Sequence, residues 1–194
     1  MLQKTINYFS AFMIFVLLIS FTEINAQGDK IPKSLKSKVS QNLGTDTEIT
    51  FTFSRPGVKG RTIWGELVPF GMEEGNKYSD NKPYPWRMGA NENSTIETNK
   101  DLLVEGQKLP AGKYGLHAIP GKDEWTIMFS KNNSLWGSYK YNSEEDALTI
   151  KVKPQEAPHQ EWLTFGFTDL EGTSATAYMH WEKLMIPFKV QIAE

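Results

Sequence analysis

A strict period-two alternation of apolar and polar side chains is the feature that most limits how this chain can fold. In TEITFTFS, at 47–54, Ile49, Phe51 and Phe53 share one face, and Thr50, Thr52 and Ser54 share the other. That spacing belongs to a strand with one face buried. It recurs in EWTIMFS at 124–130, ALTIKVK at 147–153, EWLTFGFT at 161–168 and SATAYMHWE at 174–182. No stretch sustains a helical period. Turn formers punctuate the runs, with Pro56-Gly57, Glu105-Gly106 and Pro120-Gly121 between them. Nine or ten short strands joined in this way predict an all-β chain, a single antiparallel β-sandwich or jelly-roll-like domain. Pro187 falls inside the last predicted strand, at 184–192, which places an edge or a bulge there. The chain has no cysteine, so packing alone must hold the sheets together. Six Trp, all between Trp64 and Trp181, and eleven Phe supply bulk for that packing.

The first 26 residues read differently. Lys4 precedes an apolar run from Phe9 to Phe21, and Ala26 is a small residue at the expected cut. This is the pattern of a cleaved signal peptide, and it predicts export to the periplasm or the cell exterior. The run is shorter than the roughly 20 residues a spanning helix needs, so no membrane span is expected after cleavage. Residues 27–46 are polar and Lys-rich and read as a flexible lead-in, with Val39 and Leu43 the first residues able to begin a fold. The folded domain is then 47–194, with a polar, turn-rich loop at about 72–85. The net charge of −2, with both signs interspersed, provides no footprint for nucleic acid.

Several motifs in fixed order resemble one family. They are SRPGVKGRTIWGELVPFG (54–71), WRMGANENSTIE (86–97), LPAGKYGLHAIP (109–120) and EWTIMFSKN (124–132), followed by WGSYKY (136–141), EDALTIKVKP (145–154), HQEWLTF (159–165) and WEKLMIPFKV (181–190). Together they are similar to domain-of-unknown-function family 2911. The resemblance implies an exported bacterial protein and carries no particular activity with it. The chain departs from the family pattern in one place, where 72–85 is inserted between the Pro-Phe-Gly motif and Trp86-Arg87.

The stretch PWRMGANENSTIE, at 85–97, is the centre of the functional reading. It sets Trp86, Arg87, a Gly89-Ala90 bend, Asn91 and Glu92 close together. Arg55, Lys59, Arg61 and Arg87 lie near turn-rich segments with Glu66 and Glu92, so a cationic pocket for a carboxylate, phosphate or acidic sugar is one expectation. Structural Arg–Glu pairs are the plainer role for the same residues. Trp64 and Trp136 sit in or next to turns and are candidates for a binding wall. Trp125 and Trp181 fall on apolar strand faces and read as core. The favoured wall is Arg55, Arg61, Trp64, Arg87, Asn91, Glu92 and Trp136. In it Arg would hold anionic groups, Asn and Glu would orient hydroxyls, and Trp would form the floor.

The favoured function is non-catalytic binding of a small polar or saccharide ligand, or of an envelope protein, without a cofactor. One alternative is an envelope hydrolase acting on sugars. It would use a carboxylate pair, Glu92 and Glu161, or a metal held by His117 and His180. The chain lacks HxH and HExxH spacings, a Gly-x-Ser-x-Gly elbow, and the GxGxxG and Walker A patterns. Another alternative is a purely structural envelope protein with an exposed edge strand near Pro187.

Overall fold

Side chains that alternate along a strand must bury one face against a second layer, and this chain does so with two antiparallel sheets. The computed structural model describes residues 31–193. Ten strands follow in chain order. They are β1 (Leu35–Leu43), β2 (Thr47–Arg55), β3 (Ser94–Thr98), β4 (Leu102–Val104), β5 (Gln107–Leu109), β6 (Gly112–Ile119), β7 (Trp125–Ser130), β8 (Asp146–Val152), β9 (Gln155–Thr168) and β10 (Ser174–Ile192). One sheet has six strands in the order β1-β2-β3-β6-β7-β8; the other has four, β5-β4-β10-β9. Among the described residues there is no α-helix, and no helix long and apolar enough to cross a membrane. The β-sandwich expected from the alternation is the fold observed. The signal-peptide reading concerns residues 1–26, outside the described residues.

The rows that alternate in sequence face inward as expected. Ile49, Phe51 and Phe53 of β2, Ile127 and Phe129 of β7 and Leu148 and Ile150 of β8 are buried. They meet Leu163 and Phe165 of β9 and Phe188 of β10. Aromatic rings tie the layers together: Phe51 stacks on Phe165 at 4.9 Å between centroids, and Phe129 meets Phe188 edge-on at 6.1 Å. The predicted hairpin at Glu105-Gly106 is present. Both residues have positive φ, 47° and 75°, as a tight two-residue turn between β4 and β5 requires.

The structure corrects the sequence reading in three places. Residues 35–43, read as part of a flexible lead-in, form β1, which pairs with β2 along its full length. Only Leu43 of β1 is fully buried, and Ser37, Val39 and Gln41 are half-buried. An edge strand needs little apolar content, and its outward Lys36 and Lys38 oppose pairing with another chain. Residues 155–160, which precede the alternating run at 161–168, open β9, with Gln155 and Glu156 opposite Met185 and Leu184 of β10. The two predicted C-terminal strands are one 19-residue strand, β10. Its buried residues switch from Ala175, Ala177, Met179 and Trp181 to Ile186, Phe188 and Val190. The switch occurs at a bulge around Glu182, which has φ +55°. One inserted residue reverses the facing of everything after it. Pro187 lies between the stretch of β10 that pairs with β9 and the stretch that pairs with β4, where its missing N–H interrupts neither ladder.

Between β2 and β3 the chain makes a long excursion, residues 56–93, held by short backbone bridges in place of sheet. Gly57 pairs with Trp162, Glu73 with Tyr84, and Trp86 with Ala118. The last of these continues the line of β3 beside β6, with reciprocal N–H···O bonds of 2.8 Å. On the outer face of the same sheet, Gly115 of β6 lies under the β7–β8 connection. A methyl there would collide with the Asn93 amide and come within 2.6 Å of the Asn132 carbonyl. Gly115→Ala is therefore expected to cost about 1–3 kcal/mol, read as a lower urea midpoint at unchanged m-value. Gly60→Ala, where no heavy atom lies within 4 Å, should cost less despite its φ of +69°.

Candidate functional site

The excursion and the residues before β1 enclose a cleft of about 610 Å³. Its walls carry the cations Lys33, Lys59, Arg61 and Arg87 and a single carboxylate, Glu73. Asn91, Ser34, Gly57 and Gly89 add polar backbone and side-chain groups, and Trp86, Trp181, Leu67 and Val68 form the apolar part.

Local backbone geometry places these groups. Met88 and Asn91 both have positive φ, 51° and 60°, which folds residues 86–91 tightly over β2 and β3. Ser94 holds the bend by donating its hydroxyl to the Met88 carbonyl at 2.7 Å. Gly89 must lack a side chain, since a Cβ would sit 2.8 Å from Ser94 Oγ and 3.1 Å from the Ser54 carbonyl. Arg87 reaches back across this bend. Its Nη1 donates to the Asn91 carbonyl at 2.9 Å and its Nη2 to the Tyr139 hydroxyl at 3.2 Å, with the guanidinium 5.3 Å from the Tyr139 ring centre. Gly137, at φ +72°, gives it room; a Cβ there would be 2.9 Å from Arg87 Cζ. Arg61 braces its own turn, donating from Nε to the Val58 carbonyl at 3.1 Å and from Nη2 to the Gly57 carbonyl at 2.5 Å.

None of the four cleft cations belongs to an ion pair among the described residues. Elsewhere on the surface lysines do find carboxylates, as in Lys108–Asp101 at 2.8 Å and Lys151–Glu124 at 2.8 Å. Glu73 faces the same cleft half-buried. Burial pushes its carboxyl above the usual range, and the nearby Arg87 charge pulls it back in part.

The sequence candidates divide. Arg61, Arg87 and Asn91 line the cleft. Arg55 does not; its Nε donates to the Leu163 carbonyl at 2.8 Å and ties β2 to β9. Trp64, expected as part of an open wall, is half-buried and packs against the core residues Trp86, Trp125 and Trp181 at 5.2–5.9 Å. Its neighbours Gly65 and Glu66 suggested a turn, and the turn exists, but the indole points inward from it. Glu92 lines a separate crevice with Lys36 and Lys113. Trp136, 63 % exposed, lines another with Tyr78, Leu135, Tyr139 and Lys140.

The carboxylate pair is also separated. Glu161 accepts from the Lys59 N–H at 2.9 Å, the main reason its carboxyl is held below the usual range, and so pins the 57–59 turn to β9. Glu92 has no part in that arrangement. His117 and His180 lie in different sheets. His180 Nε2 pairs with the Pro158 carbonyl at 2.9 Å. His117 is fully buried on the outer face of β6, its Nδ1 2.6 Å from Ser138 Oγ. Among the described residues no group of three or more potential metal ligands gathers. Sequence reasoning missed Lys33, set within the lead-in, and Glu73, set within a polar loop.

The fold and the cleft define a two-sheet antiparallel β-sandwich with a cation-lined pocket beside its core. The chain belongs to the family described as Protein of unknown function (DUF2911), whose model matches residues 34–190. That match includes β1 and confirms the resemblance carried by the motifs. No curated protein and no solved structure matches the chain.

Two outcomes follow from this geometry. Arg87→Ala removes two hydrogen bonds and leaves the Asn91 carbonyl and Tyr139 unpartnered, so chemical denaturation should show a loss of about 1–3 kcal/mol. Arg87→Lys should recover only part of it, lacking the planar fork. Burial lowers the His117 pKa from 6.5 to about 4. The unfolded chain takes up this proton below pH 6.5 and the folded chain only near 4, so stability drops as pH falls through that window. The full effect is about 3 kcal/mol. Urea titrations at pH 7 and pH 4.5 should show a larger loss for the wild-type chain than for His117→Gln, which cannot take the proton.

Proposed function

We propose that this chain is an exported, non-catalytic domain that binds a small anionic ligand, of the polar or saccharide type, in the cleft between residues 57–61 and 86–91. The observation that carries the reading is the convergence of Lys33, Lys59, Arg61 and Arg87 on one concave surface with no ion-pair partner for any of them. Gathered like charges repel, and an anion seated among them offsets that repulsion. Two of the cations, Arg61 and Arg87, are already fixed by backbone carbonyls, so little ordering remains to be done when a ligand arrives. Leu67, exposed in the wall, adds apolar surface beside the charges, with Trp86 and Trp181 buried behind it, the mixture typical of small-molecule sites.

Sulfate is a suitable probe because it stays dianionic from pH 5 to 8. Isothermal titration at low ionic strength should show one saturable site. The Lys33→Ala/Lys59→Ala double variant should weaken it about tenfold, at roughly 0.5–1 kcal/mol for each exposed charge. Neither lysine side chain has a hydrogen bond or ion pair among the described residues, and Lys59 Nζ lies only over the exposed Trp162 ring at 5.2 Å, a contact of about 0.5–1 kcal/mol, so the variant should lose no more stability than that in chloride. Equal sulfate affinity in the two proteins would contradict the reading. Export is supported by Lys4, the apolar run from Phe9 to Phe21 and Ala26. Expression of the full chain in a bacterial host should yield secreted protein whose N-terminal residue is Gln27, and an intact N-terminus would count against export.

A further inference from the structure

The cleft pairs its cations with one carboxylate that does not neutralise them. Glu73 is fixed from both sides of its backbone: its N–H donates to the Tyr84 carbonyl at 2.8 Å, and its carbonyl accepts from the Tyr84 N–H at 3.2 Å. The side chain is thus held in the wall by a two-stranded bridge. It turns into the cleft that Arg87 also lines, yet it forms no ion pair with Arg87 or with any other described residue. Its oxygens accept no hydrogen bond from a described side chain or backbone group. Arg87 is directed elsewhere, to the Asn91 carbonyl and Tyr139.

An ionised carboxylate can only accept hydrogen bonds, whereas lysine and arginine can only donate them. The two halves of the cleft therefore call for opposite features in one ligand. A bare anion answers the cations and is repelled by Glu73. A molecule with an acidic group and neighbouring hydroxyls answers both, the acid against Lys33, Lys59 and Arg61 and a hydroxyl donating to Glu73. The cleft volume, about 610 Å³, suits a sugar-sized molecule, and the exposed Leu67 side chain offers it apolar surface, above the buried indoles of Trp86 and Trp181.

The geometry points to a polyhydroxylated acid of sugar size as the ligand class, with Glu73 as the residue that selects it over unhydroxylated anions. This rests on the anion-binding reading above and goes further by naming which anions the cleft prefers. Selectivity of this kind is strong because a site built to hydrogen-bond a hydroxyl leaves its own polar group unpaired when the hydroxyl is missing.

The test compares D-glucuronate with cyclohexanecarboxylate, six-membered rings each carrying one carboxylate, of which only the first has hydroxyls. Isothermal titration of the wild-type chain should give at least about tenfold tighter binding of glucuronate. Glu73→Ala should bring the two acids to within about threefold of each other. It should leave sulfate affinity equal or higher, because a repelling charge is gone. A wild-type chain that binds the two acids equally, or a Glu73→Ala chain that keeps the preference, overturns the assignment of Glu73 while sulfate binding still upholds the cationic cleft. Failure of all three probes to bind overturns both. Melting curves of Glu73→Ala establish that the 73–84 bridge, made by backbone atoms, survives the substitution.

Discussion

Four indoles hold this sandwich together at one end. Trp125 of the six-stranded sheet and Trp181 of the four-stranded sheet are joined by Trp64 and Trp86 from the β2–β3 excursion. Trp64 lies edge-on to the other three, and Trp86 stacks nearly parallel to Trp181, with 13° between the ring planes and 6.2 Å between centroids. In a chain without cysteine this cluster fastens a long irregular segment to the layers beneath it, a task that a disulfide performs in other small domains. It has a cost, since the indole N–H groups of Trp64, Trp125 and Trp181 are buried with no hydrogen-bond partner among the described residues. Edge-to-face packing, in which positive ring edges meet negative ring faces, offsets part of that cost.

The cleft is a consequence of the cluster. Trp86 is immediately followed by Arg87, so burying the indole sets the guanidinium at the rim of the core. Trp181 reaches the same place because the bulge at Glu182 comes directly after it. The charged surface thus borders the core, where Gly89 and Gly137 let backbone and side chain approach more closely than a residue with a Cβ allows. A site supported in this way loses little entropy on binding. The loop at 72–85 adds, through Glu73, the one carboxylate to an otherwise cationic surface.

Much of the sandwich was legible because β2, β7 and β8 follow a single rule, one face in and one face out. β1 escaped because Ser37 and Gln41 interrupt the apolar row of Leu35, Val39 and Leu43 on its inner side, amid a Lys-rich segment. The continuity of β10 escaped because its bulge reverses the inward face midway, and a reversal looks like two strands. For the site, turn residues showed where the chain bends but not which way a side chain leaves the bend. Trp64 and Arg55 therefore passed for open-wall residues when one packs its indole against the core and the other binds the Leu163 carbonyl. Glu73 sits among Glu74, Asn76, Lys77 and Asp80, and only the pairing of residue 73 with residue 84 separates it from those solvated neighbours. Arg61, Arg87 and Asn91 were legible because charge and bend coincide in their segments.

The central claim is that anions bind at this one cleft and not diffusely over a chain that carries 21 basic residues. The most direct measurement is a sulfate titration followed by amide and side-chain NMR shifts. The account predicts saturable shifts at the Arg61 and Arg87 Nε–H signals and at the backbone amides of Gly57, Lys59, Gly89 and Asn91, all with one common affinity. Shifts spread over the surface lysines, linear in sulfate and absent from those residues, would contradict it.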